Sequence, residues 1–317
     1  MSDLKLIGKS VLRRDGPDKT TGKARYTADR QLPGMLICGI LRSPHPHAKI
    51  LNIDCSRAEK LPGVKAIISG KDTLGIKHGF VETPRYPPDQ NILASDTVRH
   101  VGEEVAAVAA INQKVLDEAL DLIEVKYEIL PAVFDVVDAM NPDCEVQIHP
   151  NHPRVNEPFC NIAGKTETQW GDVEKGFSQA DLICSDRFES HLRTHGYLEP
   201  QTTLADYNAD GTLHLWISSM GPFVKRRKLA KALGMPYASI QIHKAYVGGA
   251  FGGKIDLFSH EYCAAALSIK TARPVKFVSS REDVFAAYRH GQPLISEIKT
   301  GLKKDGTIVA QQLRMFN

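Results

Sequence analysis

Apolar stretches of strand length alternate with turns rich in Pro and Gly over the first 130 residues. The stretches at 36–41, 64–68 and 105–110 each predict a β-strand, because their apolar residues follow one another between turn-forming residues. Residues 114–126 instead carry apolar side chains at helical spacing and predict a helix. We therefore predict a mixed α/β domain over residues 1–130.

The second half shows the same mixture. Residues 173–180, 222–233 and 258–270 predict helices, the second of which ends at Gly234. Predicted strands occupy residues 182–191, 213–217, 239–247 and 275–278, and residues 302–310 form a strand, a turn and a second strand. We expect an α+β domain over residues 166–317.

Between these domains the periodic pattern fades and prolines accumulate. An extended linker over residues 131–165 is the structure that such a composition predicts. The prolines of this segment are Pro131, Pro142, Pro150, Pro153 and Pro158.

Charge and composition exclude several classes of function. Lys and Arg total 40 against 37 Asp and Glu, so the net charge of +3 is too small to predict a nucleic-acid or anionic-membrane partner. A signal peptide and a membrane-spanning run are absent from the sequence, and we expect a cytoplasmic protein. Its six cysteines are scattered without a C-x-x-C pair, which favours reduced, mostly buried thiols over a metal site or a disulfide framework.

The densest chemical signal is VGGAFGGK at residues 247–254, between a predicted strand and a predicted helix. Its glycines, Gly248, Gly249, Gly252 and Gly253, leave backbone N–H groups open to an anionic ligand, and the helix N-terminus that follows adds a favourable dipole. A phosphate-bearing cofactor is the expected occupant. The alternative is a tight turn that is needed only for packing.

Two nucleotide-binding patterns match this loop incompletely. Gly248, Gly253 and Lys254 satisfy G-x-x-x-x-G-K, but Ile255 replaces the Ser or Thr that binds magnesium in a P-loop. Ala250 breaks the dinucleotide-binding pattern G-x-G-x-x-G. A P-loop-like nucleotide-binding protein is therefore the least favoured alternative.

Taken together, several segments of the sequence resemble the molybdenum-binding large subunit of the xanthine oxidase and aldehyde oxidoreductase family of molybdenum hydroxylases. The resemblance follows the family order over nearly the whole chain. Its segments are GKARYTAD at 22–29, LRSPHPHAKI at 41–50, VGEEVAAVAA at 101–110, IEVKYEILPAV at 123–133, HGYLEPQTTLADY at 195–207, VGGAFGGK at 247–254 and RPVKFVSSRED at 273–283.

This resemblance implies a hammerhead α/β domain over residues 1–130 and the first, incomplete part of a molybdopterin-binding α+β domain over residues 166–317. It implies a molybdenum–molybdopterin cofactor or its cytosine dinucleotide form. In this cofactor the pterin, and not a protein side chain, binds the molybdenum atom. The family hydroxylates aldehydes or N-heteroaromatic compounds with oxygen from water. The residues implied to line the cofactor are Gly248, Gly249, Ala250, Phe251, Gly252 and Gly253, with Met220 nearby.

Two positions depart from the family pattern. Met220 stands where family members usually carry a glutamine whose amide approaches an oxygen on the metal, unless the loop at 218–223 has shifted and Met220 packs in the core. Ile255 stands where the xanthine-specific members carry a glutamate. Both favour an alternative in which the chain is a non-catalytic, structural subunit of such a complex.

The resemblance also implies partners. The family's glutamate base normally lies beyond residue 317, so the catalytic residue stays unassigned in this chain, and we expect a second molybdenum-subunit chain to complete the domain. Iron–sulfur and FAD subunits would carry [2Fe–2S] clusters and FAD. We also expect residue 317 to interrupt a hairpin and leave a strand edge for that second chain.

Three further groups of residues attract attention. His195 and Glu199 resemble an acid–base pair, although a structural role is favoured. His45 and His47 are typical of a solvated turn more than of a metal site. The basic run at residues 225–228 lies on a predicted amphipathic helix, and we expect it to be mainly solvated.

Overall fold

The structure is a computed structural model that describes residues 5–79, 88–149 and 161–317. Helices and strands both occur in each half of this part of the chain, which confirms the mixed α/β class. Those of the first half are α1 (Gly16–Thr20), β1 (Leu36–Arg42), β2 (Ala48–Asp54), α2 (Ser56–Glu59), β3 (Val64–Ser69), β4 (Lys77–His78), β5 (Gln90–Asn91), β6 (Thr97–Val98), β7 (Glu104–Ala110), α3 (Gln113–Asp121), β8 (Glu124–Ile129) and α4 (Val136–Met140).

The second half begins, in its described part, with a helix and a long strand. Its elements are α5 (Val173–Ser178), β9 (Leu182–Ser190), β10 (Thr202–Tyr207), β11 (Leu213–Ile217), α6 (Pro222–Leu233), β12 (Ile240–Lys244), α7 (Ser259–Thr271), β13 (Val275–Val278), α8 (Arg281–Ala286), β14 (Leu294–Leu302) and β15 (Ile308–Phe316).

A seven-stranded sheet joins the two halves, with the strand order β12-β11-β10-β13-β1-β7-β3. The junction is the parallel pair of β1 and β13, in which Leu36 lies opposite Val275. On its other side β1 runs antiparallel to β7, with Ile37 opposite Ala110. The division into residues 1–130, 131–165 and 166–317 stays a prediction, and this sheet takes strands from both sides of it.

Helices cover both faces of the sheet. Successive side chains of a strand point to opposite faces, and in β7 Ala107 and Ala109 join one core while Ala106 and Val108 join the other. The helices α6 and α7 pack into the first core, which we call the α7 core, and α3 packs into the second, which we call the α3 core.

The predicted helix over residues 114–126 is wrong in its second half. α3 begins where the Asn112 side chain accepts a hydrogen bond from Val115 N at 3.0 Å, and it ends at Asp121. β8 then starts at Glu124 and pairs with β2. Val125 and Tyr127 alternate with charged residues and pack against the α3 core, so the two-residue period of a strand replaces the helical one.

The predicted linker contains local structure. α4 lies within it, capped by the Asp135 carboxylate, which accepts from Val137 N at 2.7 Å. Farther on, the Asn161 side chain donates to Val146 O at 2.7 Å. The segment is therefore not wholly extended, and Pro150, Pro153 and Pro158 lie outside the described residues.

The hairpin near the end of the sequence is fully paired. β14 and β15 pair from Ile295 opposite Phe316 to Leu302 opposite Ile308, and β9 pairs with the other edge of β14. The expectation that residue 317 interrupts this hairpin is therefore wrong. β15 is nevertheless the edge strand of its three-stranded sheet.

Within the described ranges, no helix combines the length and the apolar character needed to cross a membrane. The described cysteines all have free thiols: Cys38 and Cys263 are buried, whereas Cys55, Cys144 and Cys184 are half-buried. Burial raises the pKa of the Cys38 thiol to about 12. Cys160 lies outside the described residues.

Candidate functional site

The glycine loop, residues 248–254, follows β12 and precedes α7. α7 begins at Ser259, one residue after the predicted start at residue 258, so the predicted order of strand, loop and helix is confirmed. Residues 255–258 separate the helix from Lys254, and the contribution of its dipole stays a prediction. The site therefore depends first on the backbone of the loop itself.

That backbone takes left-handed conformations at three positions. The φ angles are +96° at Gly249, +48° at Phe251 and +89° at Gly252. Glycine adopts such angles freely, whereas at Phe251 they carry a cost of about 1–3 kcal/mol. The turn is closed by Gly253 N, which donates to Ala250 O at 2.8 Å. Phe251 is 72% exposed.

The loop also presents hydrogen-bond donors. Gly248 N donates to Glu199 Oε2 at 2.7 Å, and Gly253 N closes the turn. Considering only the described residues, none accepts a hydrogen bond from the four amides of residues 249–252. A run of free amides in a glycine-rich turn is the donor set that binds an oxygen-rich or anionic group.

Close packing leaves no room for a side chain at some glycines of the loop, but at one glycine there is room. A Cβ at Gly248 would lie 2.6 Å from Glu199 Cβ, and one at Gly253 would lie 3.0 Å from His195 Nδ1. The packing alternative therefore holds for those two positions. A Cβ at Gly252 would meet only His195 Nε2, at 3.9 Å, so this residue borders open space.

A cluster of buried polar side chains forms hydrogen bonds at the ends of the loop. Lys254 Nζ donates to Glu199 O at 2.7 Å, to Glu199 Oε2 at 3.0 Å and to Ser218 Oγ at 2.7 Å. Ser218 Oγ in turn donates to Glu199 Oε2 at 2.6 Å. The Lys254 side chain is 0% exposed and that of Glu199 is 8% exposed. Burial is the main cause that lowers the pKa of Lys254, although Glu199 opposes it.

These contacts argue against a P-loop. The lysine of a P-loop reaches the phosphates of the nucleotide, whereas Lys254 is buried and bonded to Glu199 and Ser218.

The two residues of the supposed acid–base pair, His195 and Glu199, have different contacts in the structure. Glu199 is hydrogen-bonded to the loop, and the His195 ring stacks on Tyr197 with 6.1 Å between ring centroids.

Met220 lies beside the glycine loop. Its backbone N donates to Lys254 O at 2.9 Å, which places the turn after β11 against the end of the loop. The Met220 side chain is 52% exposed, so the alternative in which it packs in the core is wrong. A thioether cannot donate a hydrogen bond, and any donor to a group bound here must be another atom.

Other sequence predictions fail at particular residues. His47 does not lie in a solvated turn, because it is buried with Nδ1 2.6 Å from Pro131 O. His45 is half-buried, and its ring packs edge-on against Tyr127. No group of three or more potential metal ligands occurs among the described residues.

The basic run on α6 is only partly solvated. Lys225 is buried in an ion pair with Glu261, and Lys228 is buried beside Asp256, with Nζ 2.5 Å from Oδ1. Arg227 is exposed. The expectation of a mainly solvated face is therefore wrong for the two lysines.

Sequence reasoning missed the cluster of Glu199, Ser218 and Lys254. The signal was present, because HGYLEPQ and GGK both belong to the segments that carry the resemblance. Their pairing was not visible, since Glu199 and Lys254 lie 55 positions apart and no periodic pattern connects them.

The chain matches two known domain families. Residues 21–131 match the aldehyde oxidase and xanthine dehydrogenase a/b hammerhead domain. Residues 149–317 match the molybdopterin cofactor-binding domain, which includes the whole glycine loop.

Individual relatives extend these matches. The chain is 34% identical to the nicotinate dehydrogenase large molybdopterin subunit of Eubacterium barkeri over 99% of its own length and 71% of that protein. It is 31% identical to the carbon monoxide dehydrogenase large chain of Afipia carboxidovorans, over 94% of this chain and 38% of that one. The crystal structure of quinoline 2-oxidoreductase from Pseudomonas putida 86 superposes with a TM-score of 0.88 at 30% identity, covering 97% of this chain and 39% of that chain.

Proposed function

Because the chain belongs to the aldehyde oxidase and xanthine dehydrogenase family of molybdopterin-binding proteins, we propose that its glycine loop holds a molybdenum–molybdopterin cofactor in a hydroxylase complex. The substrate class is an aldehyde or an N-heteroaromatic compound. When bound, this cofactor supplies the oxidation of a substrate C–H bond with oxygen from water.

One observation carries the proposal: the free amides of residues 249–252 beside the open space at Gly252. Oxygen atoms of a metal-bound or phosphate group accept hydrogen bonds from such amides, and no side chain in the described ranges competes for them. The donor set of the loop therefore fits the cofactor. Residues 248–253 would line it, with the Phe251 ring at its edge.

The role of Met220 follows from its chemistry. Its position beside Lys254 O puts it within the same surface as the loop. Because its sulfur cannot donate, the loop amides would supply the hydrogen bonds that family members take from glutamine. Met220 would then shape the wall of the cofactor site and the preference for a less polar substrate.

A second polypeptide is the proposed partner, and one sheet face supports it. On β9 and β15, Phe188 and Met315 are both register partners of Ser296 and so share one face, which they leave half-exposed. Leu313, opposite Ile298, adds to the same face. Apolar clusters of this kind mark contacts between proteins. Some relatives are also much longer, since the chain spans 38% of the Afipia carboxidovorans protein.

The remaining assignments concern the form of the pterin and the subunits that accept the electrons. The pterin would carry a cytosine dinucleotide, whose phosphates also suit backbone amides. Electrons would leave through [2Fe–2S] clusters and FAD on separate subunits, and the complex would work in the cytoplasm. The glutamate base would come from the second molybdenum-subunit chain.

A structural, non-catalytic subunit is the competing function. Met220 and Ile255 favour it, because each replaces a polar residue expected from the resemblance. Metal and pterin analysis of the complex purified from its host separates the two. Stoichiometric molybdenum supports the hydroxylase, and a stable complex without any metal supports the structural subunit.

Replacement of Gly252 by valine tests the site directly. The added side chain would enter the open space of the loop, so we expect the molybdenum content of the purified complex to fall by at least about tenfold. Gly306→Val is the matched control. Gly306 also has a positive φ, +88°, and open space around its Cβ, but it lies in the turn between β14 and β15.

Both variants carry the same backbone strain, so only the loop variant should lose metal. Equal molybdenum content in the Gly252→Val and Gly306→Val complexes would contradict the placement of the cofactor.

A further inference from the structure

Three buried side chains form what we call the loop clasp: Glu199, Ser218 and Lys254. They come from three separate segments. Glu199 precedes β10, Ser218 follows β11, and Lys254 ends the glycine loop. Each has a side chain that solvent hardly reaches.

The clasp converges on a single oxygen atom. Glu199 Oε2 accepts from Ser218 Oγ at 2.6 Å, from Gly248 N at 2.7 Å and from Lys254 Nζ at 3.0 Å. Gly248 and Lys254 are the first and last residues of the glycine loop. One carboxylate oxygen therefore ties both ends of the loop to the turn after β11.

The same contacts extend to the wall of the site. Lys254 O accepts from Met220 N at 2.9 Å, so the residue that anchors the loop also fixes Met220. Gln201 adds a hydrogen bond from its side-chain N to Gly253 O at 2.7 Å. The loop is thus held at its ends, while its centre, residues 249–252, keeps its amides free.

We propose that the loop clasp keeps the glycine loop in its ligand-ready conformation, and that Glu199 and Lys254 are positioning residues for the cofactor rather than ligands to it. The second part of the proposal rests on the proposed function. The first part concerns the loop alone and stands without it.

The physical reason lies in the backbone of the loop. Phe251 holds a positive φ that is unfavourable for a residue with a side chain, so the free loop would relax. Apolar packing is non-directional and cannot fix amide directions, whereas charge-assisted hydrogen bonds are directional and strong. Without the Lys254 charge, Glu199 would be a buried carboxylate lacking its cation, a state that proteins avoid.

Lys254→Met tests the clasp, with Lys225→Met as the matched control. Both substitutions remove a buried lysine from an ion pair, but the Lys225 ammonium bonds to Glu261 on α7 and acts on Lys254 only through its charge. Hydrogen exchange of the full chain without cofactor is measured at the amides of Gly248 and Gly253. We expect Lys254→Met to speed exchange there by about tenfold or more, and Lys225→Met to have a smaller effect at these two amides.

A milder pair of variants covers the case in which Lys254→Met does not fold. Ser218→Ala removes two hydrogen bonds of the clasp. Ser268→Ala also removes two, because the buried Ser268 Oγ donates to Arg273 O at 2.8 Å and accepts from Tyr207 N at 3.0 Å. We expect faster exchange at Gly248 only in Ser218→Ala. Glu199→Gln, which keeps an oxygen acceptor for Gly248 N, should fall between the wild type and Lys254→Met.

Molybdenum content of the complexes supplies the second readout. Loss of metal in Lys254→Met but not in Lys225→Met, at matched melting temperature, supports the positioning role. Unchanged loop exchange in every clasp variant overturns the clasp, whatever the metal content. A wild-type complex without molybdenum overturns the proposed function, and the exchange comparison still decides the clasp.

Discussion

The two cores on either side of the seven-stranded sheet differ in kind. The α3 core consists of apolar residues such as Val105, Val108 and Leu116, and no buried Lys, Asp or Glu occurs in the described residues of the first half. The α7 core buries a set of ionic side chains around its apolar residues. They are Lys225, Lys228, Lys254, Asp256 and Glu261.

This difference shows what each core must do. Apolar burial stabilises a fold in proportion to area but sets no single orientation for a loop. Buried ion pairs bring a desolvation cost that cancels much of their attraction, so they are poor general stabilisers. Their concentration around the glycine loop indicates that the α7 core gives up stability to fix the geometry of particular segments.

The largest expected effect is that of Lys225→Met on unfolding. The variant leaves the buried Glu261 carboxylate without its cation, which typically costs about 3–5 kcal/mol. Burial is the main cause that raises the pKa of Glu261, and the loss of Lys225 removes the charge that opposes this shift most strongly. A raised pKa in the folded state favours folding at low pH, so the loss should be smaller at pH 5 than at pH 7. Urea unfolding at both pH values measures it.

Leu116→Ala in the α3 core sharpens the contrast. Leu116 is buried, and its truncation should cost about 2–5 kcal/mol through a cavity. No ionisable group is involved, so the cost should be equal at pH 5 and pH 7. A pH-dependent loss in Leu116→Ala, or a pH-independent one in Lys225→Met, would break the comparison between the cores.

A smaller effect on the pH dependence of the free energy of unfolding is expected from His260, on α7. Burial is the main cause that lowers its pKa well below the usual value, with Lys225 the next. A histidine with a lowered pKa is neutral in the folded protein, and the unfolded chain binds the proton first. Stability should therefore fall as the pH drops below about 6.5, by at most about 1.4 kcal/mol per pH unit for this residue.

His260→Phe should remove that slope, because the ring of His260 already stacks on Phe277 and Phe258. The variant also loses the contact between His260 Nδ1 and Tyr288 Oη at 3.3 Å, a cost that should be the same at every pH. Melting temperatures between pH 5.5 and pH 7.5 provide the measurement. His78, His243 and His290 also have lowered pKa values, chiefly through burial, so part of the slope should persist in the variant. An identical slope in variant and wild type would exclude His260 as a source.

Much of the apolar framework was predictable from the sequence. β1 and β7 follow from their apolar runs, and α6 follows from Pro222 at its start and Gly234, whose φ is +63°, at its end. These signals are local, so a short window of sequence contains them. The boundary between α3 and β8 was not predictable in the same way, because tertiary pairing with β2 decides it.

The buried ion pairs of the α7 core could not be predicted from a short window of sequence. Lys225 and Glu261 are 36 positions apart, and a lysine on an amphipathic helix is ordinarily solvated. Even the glycine loop was only partly predictable. Its sequence indicated exposed amides, but the anchoring by Glu199 and Lys254 depends on how three segments meet.

The central claim is that the free amides of the glycine loop hold the cofactor while the α3 core takes no part. Amide hydrogen exchange on the wild-type complex tests it, with the protein purified once from cells grown with molybdate and once from cells in which pterin-cofactor synthesis is blocked. We predict that cofactor slows exchange at residues 249–252 by about tenfold or more and leaves β7, Glu104–Ala110, unchanged. Equal exchange at the loop amides in the two preparations, with molybdenum present in the first, would contradict it.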